Sequence, residues 1–166
     1  MAFALILETG AGVTDANSYC SRAVADAYHD GRLNASAWQT AGEADKDKAL
    51  AMATALLDEH RTWRGAAVLT REKPAWPRTD MVERTGIVID STTIPISLQE
   101  ATAEFARRLI EADRILQAEH PPQSSSAAGK SRSYAPGQQP SVVPPQVDAM
   151  IGHLIIRGES RLVVAA

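Results

Sequence analysis

The residues of this chain that could attack a substrate, move a proton or hold a metal are few. Cys20 is the single cysteine, which excludes an internal disulfide framework and any thiolate cluster, fits synthesis in a reducing compartment, and reads as a buried, inert thiol. His29, His60, His120 and His153 show no close metal-ligand spacing. Asp58, Glu59 and His60 are consecutive, but consecutive helical positions point in different directions and cannot share one ion. Cys20 could be paired with a remote histidine, and Ser97 with His120 or His153, yet nothing sets an orienting carboxylate beside either pair and there is no GxSxG elbow. GAGV at residues 10–13 resembles a small turn without the glycine pattern of a dinucleotide site, and SAAGKSR lacks the preceding glycine of a Walker loop. The expectation is therefore no catalytic residue, no cofactor, no metal and no enzyme.

A second chemistry is recognition. Arg61, Trp63, Arg64, Arg71, Lys73, Trp76, Arg78 and Arg84 crowd one stretch, and arginine on phosphate with tryptophan stacked on bases is a sound way to hold nucleic acid. Glu72, Asp80 and Glu83 interrupt that charge, and Trp63 and Trp76 flank a helix end and a proline-constrained loop, where anchoring to a core is equally natural. The chain as a whole carries a formal charge of −3 and a pI near 5.8, so it lacks the strongly basic footprint of a broad phosphate binder. Both readings stay open, and Arg78 with them: it could brace its loop, meet a neighbouring subunit or face DNA.

The elements that must position these residues are helical. At 166 residues the chain suits one core, and 45% apolar with only 5% aromatic side chains implies helix against helix rather than a large aromatic cavity. ALIL near the start reads as an edge strand or an intersubunit arm. Asp15 or Asn17 could cap a helix over YCSRAVADAYHDG that ends at Gly31, with Tyr19, Ala23, Ala27, Val24 and Tyr28 on its apolar face. A short turn carries Trp38. EADKDKALAMATALLDEHRTW forms the clearest early helix, burying Leu50, Ala53, Leu57 and His60, widened by Met52 and Leu56, with Glu43, Asp45 and Asp47 at its positive end.

Residues 61–96 lack long helical periodicity. TGIVIDSTTIPI offers a strand over 86–90 and a turn around 91–93, a small hairpin of undefined pairing. LQEATAEFARRLIEADRILQAE is the strongest helix, striped by Leu98, Ala101, Phe105, Leu109, Ala112 and Leu116, with Ser97 and Glu100 spaced as a capping box. Six of nine prolines then fall in residues 121–145, a composition expected of an extended arm or mobile loop. VDAMIGHLIIRG resumes helical spacing through Val147, Met150, Ile151, Leu154 and Ile155, and so reads as an element that docks on its own body or on a neighbour, with RLVVAA as a terminal strand or tail. The expected fold is mainly α, a small helical bundle with a short β-hairpin and an extended C-terminal arm. It divides into a body over 1–120, a Pro/Ser-rich arm over 121–145 and a docking element over 146–166. No segment is apolar enough to cross a membrane, and secretion is not expected.

Taken in order, DANSY, ADAYH, Trp38, ALAMATALLDEH with RTWRG, AWPR and EATAEFARRLI resemble the tailed-bacteriophage proteins of the DnaT-like single-stranded-DNA-binding family, which look like head-to-tail adaptor or connector proteins in their helical organisation. The resemblance covers about residues 4–118 well and the tail loosely. It implies a noncatalytic adaptor, made in the host bacterial cytoplasm and built into the virion neck as a ring of twelve. That ring would join the portal protein to the next neck or tail protein and let double-stranded DNA pass without sequence readout. A DnaT-like replication accessory protein that binds single-stranded DNA is the alternative. Asn17, Tyr19, Tyr28, Trp63, Arg64, Trp76, Pro77 and Arg78 match the family's motifs and carry over as structural or interface residues. Tyr134 in the arm and Met150, Ile151, Leu154 and Ile155 in the docking element complete the interface candidates.

Overall fold

A computed structural model of the protein describes residues 3–70, 74–115 and 141–156, together with the backbone of 124–127 and 130–133. Among the described residues its helices include α1 (Arg22–Asp30), α2 (Ser36–Thr40), α3 (Glu43–His60), α4 (Ile96–Glu111) and α5 (Pro145–Ile151). The strands are short: β1 (Ala66–Ala67) pairs antiparallel with β2 (Arg78–Thr79), β3 (Met81–Val82) with β4 (Val88–Ile89), and β5 (Ser124–Ala127) with β6 (Lys130–Ser133). The chain is mainly α, as its periodicity predicts.

α4 is the axis of the bundle, packed against α1, α2, α3 and α5. Its apolar stripe explains only part of its burial, because residues 101–107 are buried on every side, Glu104 and Arg107 included. A carboxylate with no exposure needs partners. Glu104 meets Arg107 at 2.7 Å, Arg32 at 3.2 Å and Arg108 at 3.3 Å, while Arg107 also pairs with Glu111. Arg32 comes from the α1–α2 connection, so this cluster fastens that connection to the central helix.

Several local expectations need correction. Ser21, rather than Asp15 or Asn17, caps α1, accepting from Val24 N at 3.2 Å. The buried face of α1 is Ala25 and His29, whereas Ala23, Val24 and Ala27 are exposed and Tyr19 precedes the helix. His29 Nε2 donates to Ala103 O at 3.0 Å and its ring leans on Trp38, 4.8 Å between centroids. In α3, Leu50, Ala53, Leu56 and Leu57 are buried as expected, but Thr54 and Ala49 fill out that face, and His60 and Met52 lie outside. Pro95, rather than Ser97, stands at the N-cap of α4, which ends at Glu111 short of the predicted Leu116. The small hairpin pairs Val88–Ile89 backwards with Met81–Val82 through a turn closed by Gly86 N on Glu83 O, 2.9 Å, so the turn precedes the predicted strand instead of following it. Within the Pro/Ser-rich segment, Ser124–Ala127 and Lys130–Ser133 pair as a hairpin.

The first and last described segments are tied to the body. Leu7 bridges Ser18, and Asn17 closes the loop between them: its Oδ1 accepts from Ile6 N at 2.8 Å and its Nδ2 donates to Ala4 O at 2.9 Å. α5 docks on α4, and the residues after it lie against the α3 exit, with Trp63 bridging Ile155 and Ile156 N donating to Thr62 O at 2.8 Å. Of the two dockings left open by the sequence, the element therefore packs on its own body. RLVVAA lies outside the described residues.

The α1–α4 contact has two measurable consequences. Removing the carboxylate with Glu104→Ala strips the buried Arg107 of one of its two counter-charges and the partly buried Arg32 of its partner, and is expected to cost about 3 kcal/mol in urea denaturation. Burial holds the pKa of His29 below 6.5, outweighing the Ala103 carbonyl and Glu104, which raise it, and joined by Arg107 and Arg32, which lower it. The unfolded chain therefore takes up the proton first. The stability from His29 is complete above pH 6.5 and is lost as the pH falls below it. Melting temperature is expected to drop between about pH 7.5 and about pH 5.5, and to drop less in His29→Gln.

Candidate functional site

Tyr19, Trp63 and Trp76 among the predicted site residues converge on one carboxylate that the sequence does not single out. Asp58, in the last turn of α3, accepts from the Tyr19 hydroxyl at 2.7 Å, from Trp63 Nε1 at 2.9 Å and from Ala75 N at 2.9 Å. The Tyr19 oxygen itself accepts from Ala75 N at 2.8 Å and Trp76 N at 3.3 Å. One tyrosine and one aspartate thus bind the N-terminal segment, the α3 exit and the AWPR loop together. Burial and then the neighbouring Asp58 charge push the Tyr19 pKa well above 10, so its hydroxyl stays a donor.

Trp63 and Trp76 meet edge to face, 5.9 Å apart and 84° between planes, the arrangement that ring quadrupoles favour. Their exposures are 6% and 1%, which leaves no face open to a base. Arg78 spends its guanidinium on the loop's own carbonyls: Nε on Arg64 O at 2.7 Å, Nη1 on Ala75 O at 3.1 Å and Nη2 on Gly65 O at 3.0 Å. Of the three roles open to it in the sequence, Arg78 has that of a brace. Gly65 is obligatory beside it, with φ +64° and space for a Cβ only 2.0 Å from Thr79 O. Pro77 is buried and its carbonyl accepts from Val68 N at 3.0 Å, extending the β1–β2 pair.

The remaining candidates are scattered. Tyr28 is half-buried, its hydroxyl accepting from Arg32 at 3.2 Å. Asn17 staples the N-terminal segment. Ile151, Leu154 and Ile155 are buried and Met150 partly so, all against the chain's own core. Arg64 is exposed and is held by Ile155 O at 3.0 Å through Nε. Tyr134, Arg71 and Lys73 lie outside the described residues.

Two pairings suggested by residue type take definite form. Ser97 and His153 do approach, 3.4 Å from Oγ to Nε2, and Glu83 lies 3.3 Å from the same nitrogen. A proton relay needs the acid and the nucleophile on opposite ring nitrogens, so this geometry pins α5 to β3–β4 and α4 without activating the serine. Cys20 is fully buried and its thiol is pushed up to about 12 by that burial, which keeps it protonated and unreactive. GAGV does form an anion-cradling turn, with positive φ at Gly10 and Gly12, but its amides donate to the chain's own Glu8 Oε1 at 2.9 Å each. Gly10 also lies so close to Thr92 O that a Cβ would stand 1.9 Å from it. Among the described residues no group of His, Cys, Asp and Glu is placed to hold a metal ion.

What these features define is a small helical domain whose loops are locked by buried polar side chains, with its tryptophans inside. The chain belongs to the family described as "Putative DnaT-like ssDNA binding protein", whose profile matches residues 3–165. No curated protein and no solved structure matches it.

Asp58→Asn keeps the shape and removes the charge while supplying one acceptor oxygen to three donors. It is expected to lower unfolding free energy by about 1–3 kcal/mol and to red-shift tryptophan emission as Trp63 loosens, both read in one fluorescence-monitored denaturation.

Proposed function

We propose that this chain is a noncatalytic DNA-contacting protein and that single-stranded DNA binding, the activity in its family's description, is the reading with the most direct support. The observation that carries it is the family match over residues 3–165. The buried tryptophans constrain how such binding works. With Trp38, Trp63 and Trp76 enclosed, contact rests on exposed arginines and phosphate rather than on an indole platform, and affinity must then be strongly salt-dependent.

A second reading is the head-tail adaptor: a ring of twelve in the virion neck, seated on the portal protein, meeting the next neck or tail protein and passing double-stranded DNA, with no cofactor and no membrane. The family description names single-stranded DNA and no connector, so it supports the first reading over this one. What favours the adaptor is the β3–β4 hairpin, which leaves Ile87 67%, Val88 73% and Val82 41% exposed, apolar surface of the kind that proteins cover by assembling. Because α5 is docked on its own body, an adaptor would bridge subunits through that hairpin rather than through α5. No helix among the described residues is long and apolar enough to cross a membrane.

The two readings separate experimentally. Fluorescence anisotropy with an oligothymidylate is expected to show binding that weakens with a log–log salt slope of about −0.7 per phosphate engaged. Absence of binding at low salt, together with closed rings on portal particles in electron micrographs, would reverse the order of the two readings.

A further inference from the structure

Two exposed arginines distant in sequence are held by the same short piece of chain. Arg64 follows α3; its Nε donates to Ile155 O at 3.0 Å and its amide to Leu154 O at 2.9 Å. Arg84 sits in the β3–β4 turn, and its Nη2 donates to Ala149 O and, at 2.8 Å, to Met150 O. The last turn of α5 has carbonyls without helical partners, and these, with the residues just after, fix both guanidinium groups. Among the described residues Arg64 spends only Nε on the fold and Arg84 only Nη2, so each keeps donors on its remaining edge.

Between them opens a cleft of about 320 Å³, lined also by Met81, Val82 and His153. That volume is at the lower end of small-ligand sites, enough for one nucleotide unit. Two acids share the rim, and both are engaged: Glu83 with His153 at 3.3 Å, and Asp80 with the Thr79 hydroxyl at 3.1 Å. His153 turns Nε2 toward Glu83 and Ser97, and its buried Nδ1 has no hydrogen-bond partner among the described residues. The pKa of His153 is lowered first by burial, with Arg84 and Arg64 also lowering it against the opposing Glu83, so both guanidinium charges bear on this one place. The cleft therefore combines free arginine donors with the exposed side chain of Val82, while Met81 and the His153 Nδ1 lie buried beneath it.

We propose that this cleft holds a single DNA strand, one backbone phosphate between the free edges of Arg64 and Arg84 and the adjoining base against Val82. This rests on the single-stranded reading above and gives it a location. Arginine suits the task because its planar fork meets phosphate oxygens two at a time. A concave site of this size takes an unstacked nucleotide and not a base pair, which makes the preference for a single strand a matter of shape. Val82 offers the base an apolar contact where the fold has buried the tryptophans.

The test uses the full chain, a labelled oligothymidylate and anisotropy at several salt concentrations. Arg64→Gln with Arg84→Gln is expected to weaken binding about tenfold or more and to flatten the salt slope by roughly 0.7 for each phosphate no longer neutralised. Arg22→Gln, which removes the same charge from the α1–α3 surface where Arg22 pairs with Glu43, is expected to leave binding unchanged. Because Arg84 also holds α5, Arg84→Lys serves as the variant that retains charge, and each protein's melting temperature is compared with the wild type. Equal binding by the double variant or equal weakening by Arg22→Gln would each overturn the site while leaving the family reading intact. A wild-type chain that binds no oligonucleotide overturns both.

Discussion

The carboxylate of Asp58 is the constraint on which the loop half of this protein depends. A helix end, an N-terminal segment and a proline-bounded loop have no ladder of backbone hydrogen bonds to share, so their relative positions must come from side chains. Asp58 supplies the acceptor, Tyr19 and Trp63 the donors, and the amide of Ala75 completes the set. A partly buried carboxylate held by three donors is strongly directional, and it selects the one loop position in which Trp76 slots edge-on against Trp63. The same charge would be destabilising if any of those donors were withdrawn.

Glu104 does for the helical half what Asp58 does for the loops. Small side chains at Ala101, Ala103 and Ala106 let neighbouring helices approach α4 closely, and that closeness leaves no water for a polar residue on its surface. Three arginines around one carboxylate answer this by holding the charge in place with protein instead of solvent. Such clusters add less net stability than an apolar core of equal volume; what they provide here is the position of the α1–α2 connection, which carries no apolar stripe long enough to position itself.

Legibility from the sequence follows the physics of range. α3 and α4 repeat their apolar residues over several turns, so period alone locates them, and the docking element is readable from Val147 to Ile155 for the same reason. α1 shows where that reasoning stops: its buried face is an alanine and a histidine, and a histidine bonded to a carbonyl 74 residues away carries no local mark. Ser97 and Glu100 have the spacing of a cap, but Pro95 already fixes the entry to α4 and places the serine inside the first turn. Asp58 does not stand out among three adjacent polar residues because its donors lie 39, 5 and 17 positions away. The tryptophans and Arg78 stand out by type, and only the packing decides between a platform and a pin. The approach of Arg64 to Arg84 is wholly a product of the fold, since the carbonyls that hold them belong to residues 149–155.

The base of the Pro/Ser-rich segment has a geometric meaning of its own. Arg114, just past α4, reaches Ser141 O at 3.3 Å and Val142 O at 3.5 Å, so the chain leaves the body and re-enters it at one point. By connectivity, the residues between 114 and 141 form an excursion closed at its base by this contact. Closure entropy rises only logarithmically with length, about 0.6 kcal/mol for each doubling, so residues could be added to or removed from this excursion at small cost. Its length is therefore a variable that evolution or an engineer can set independently of everything the two helices hold in register.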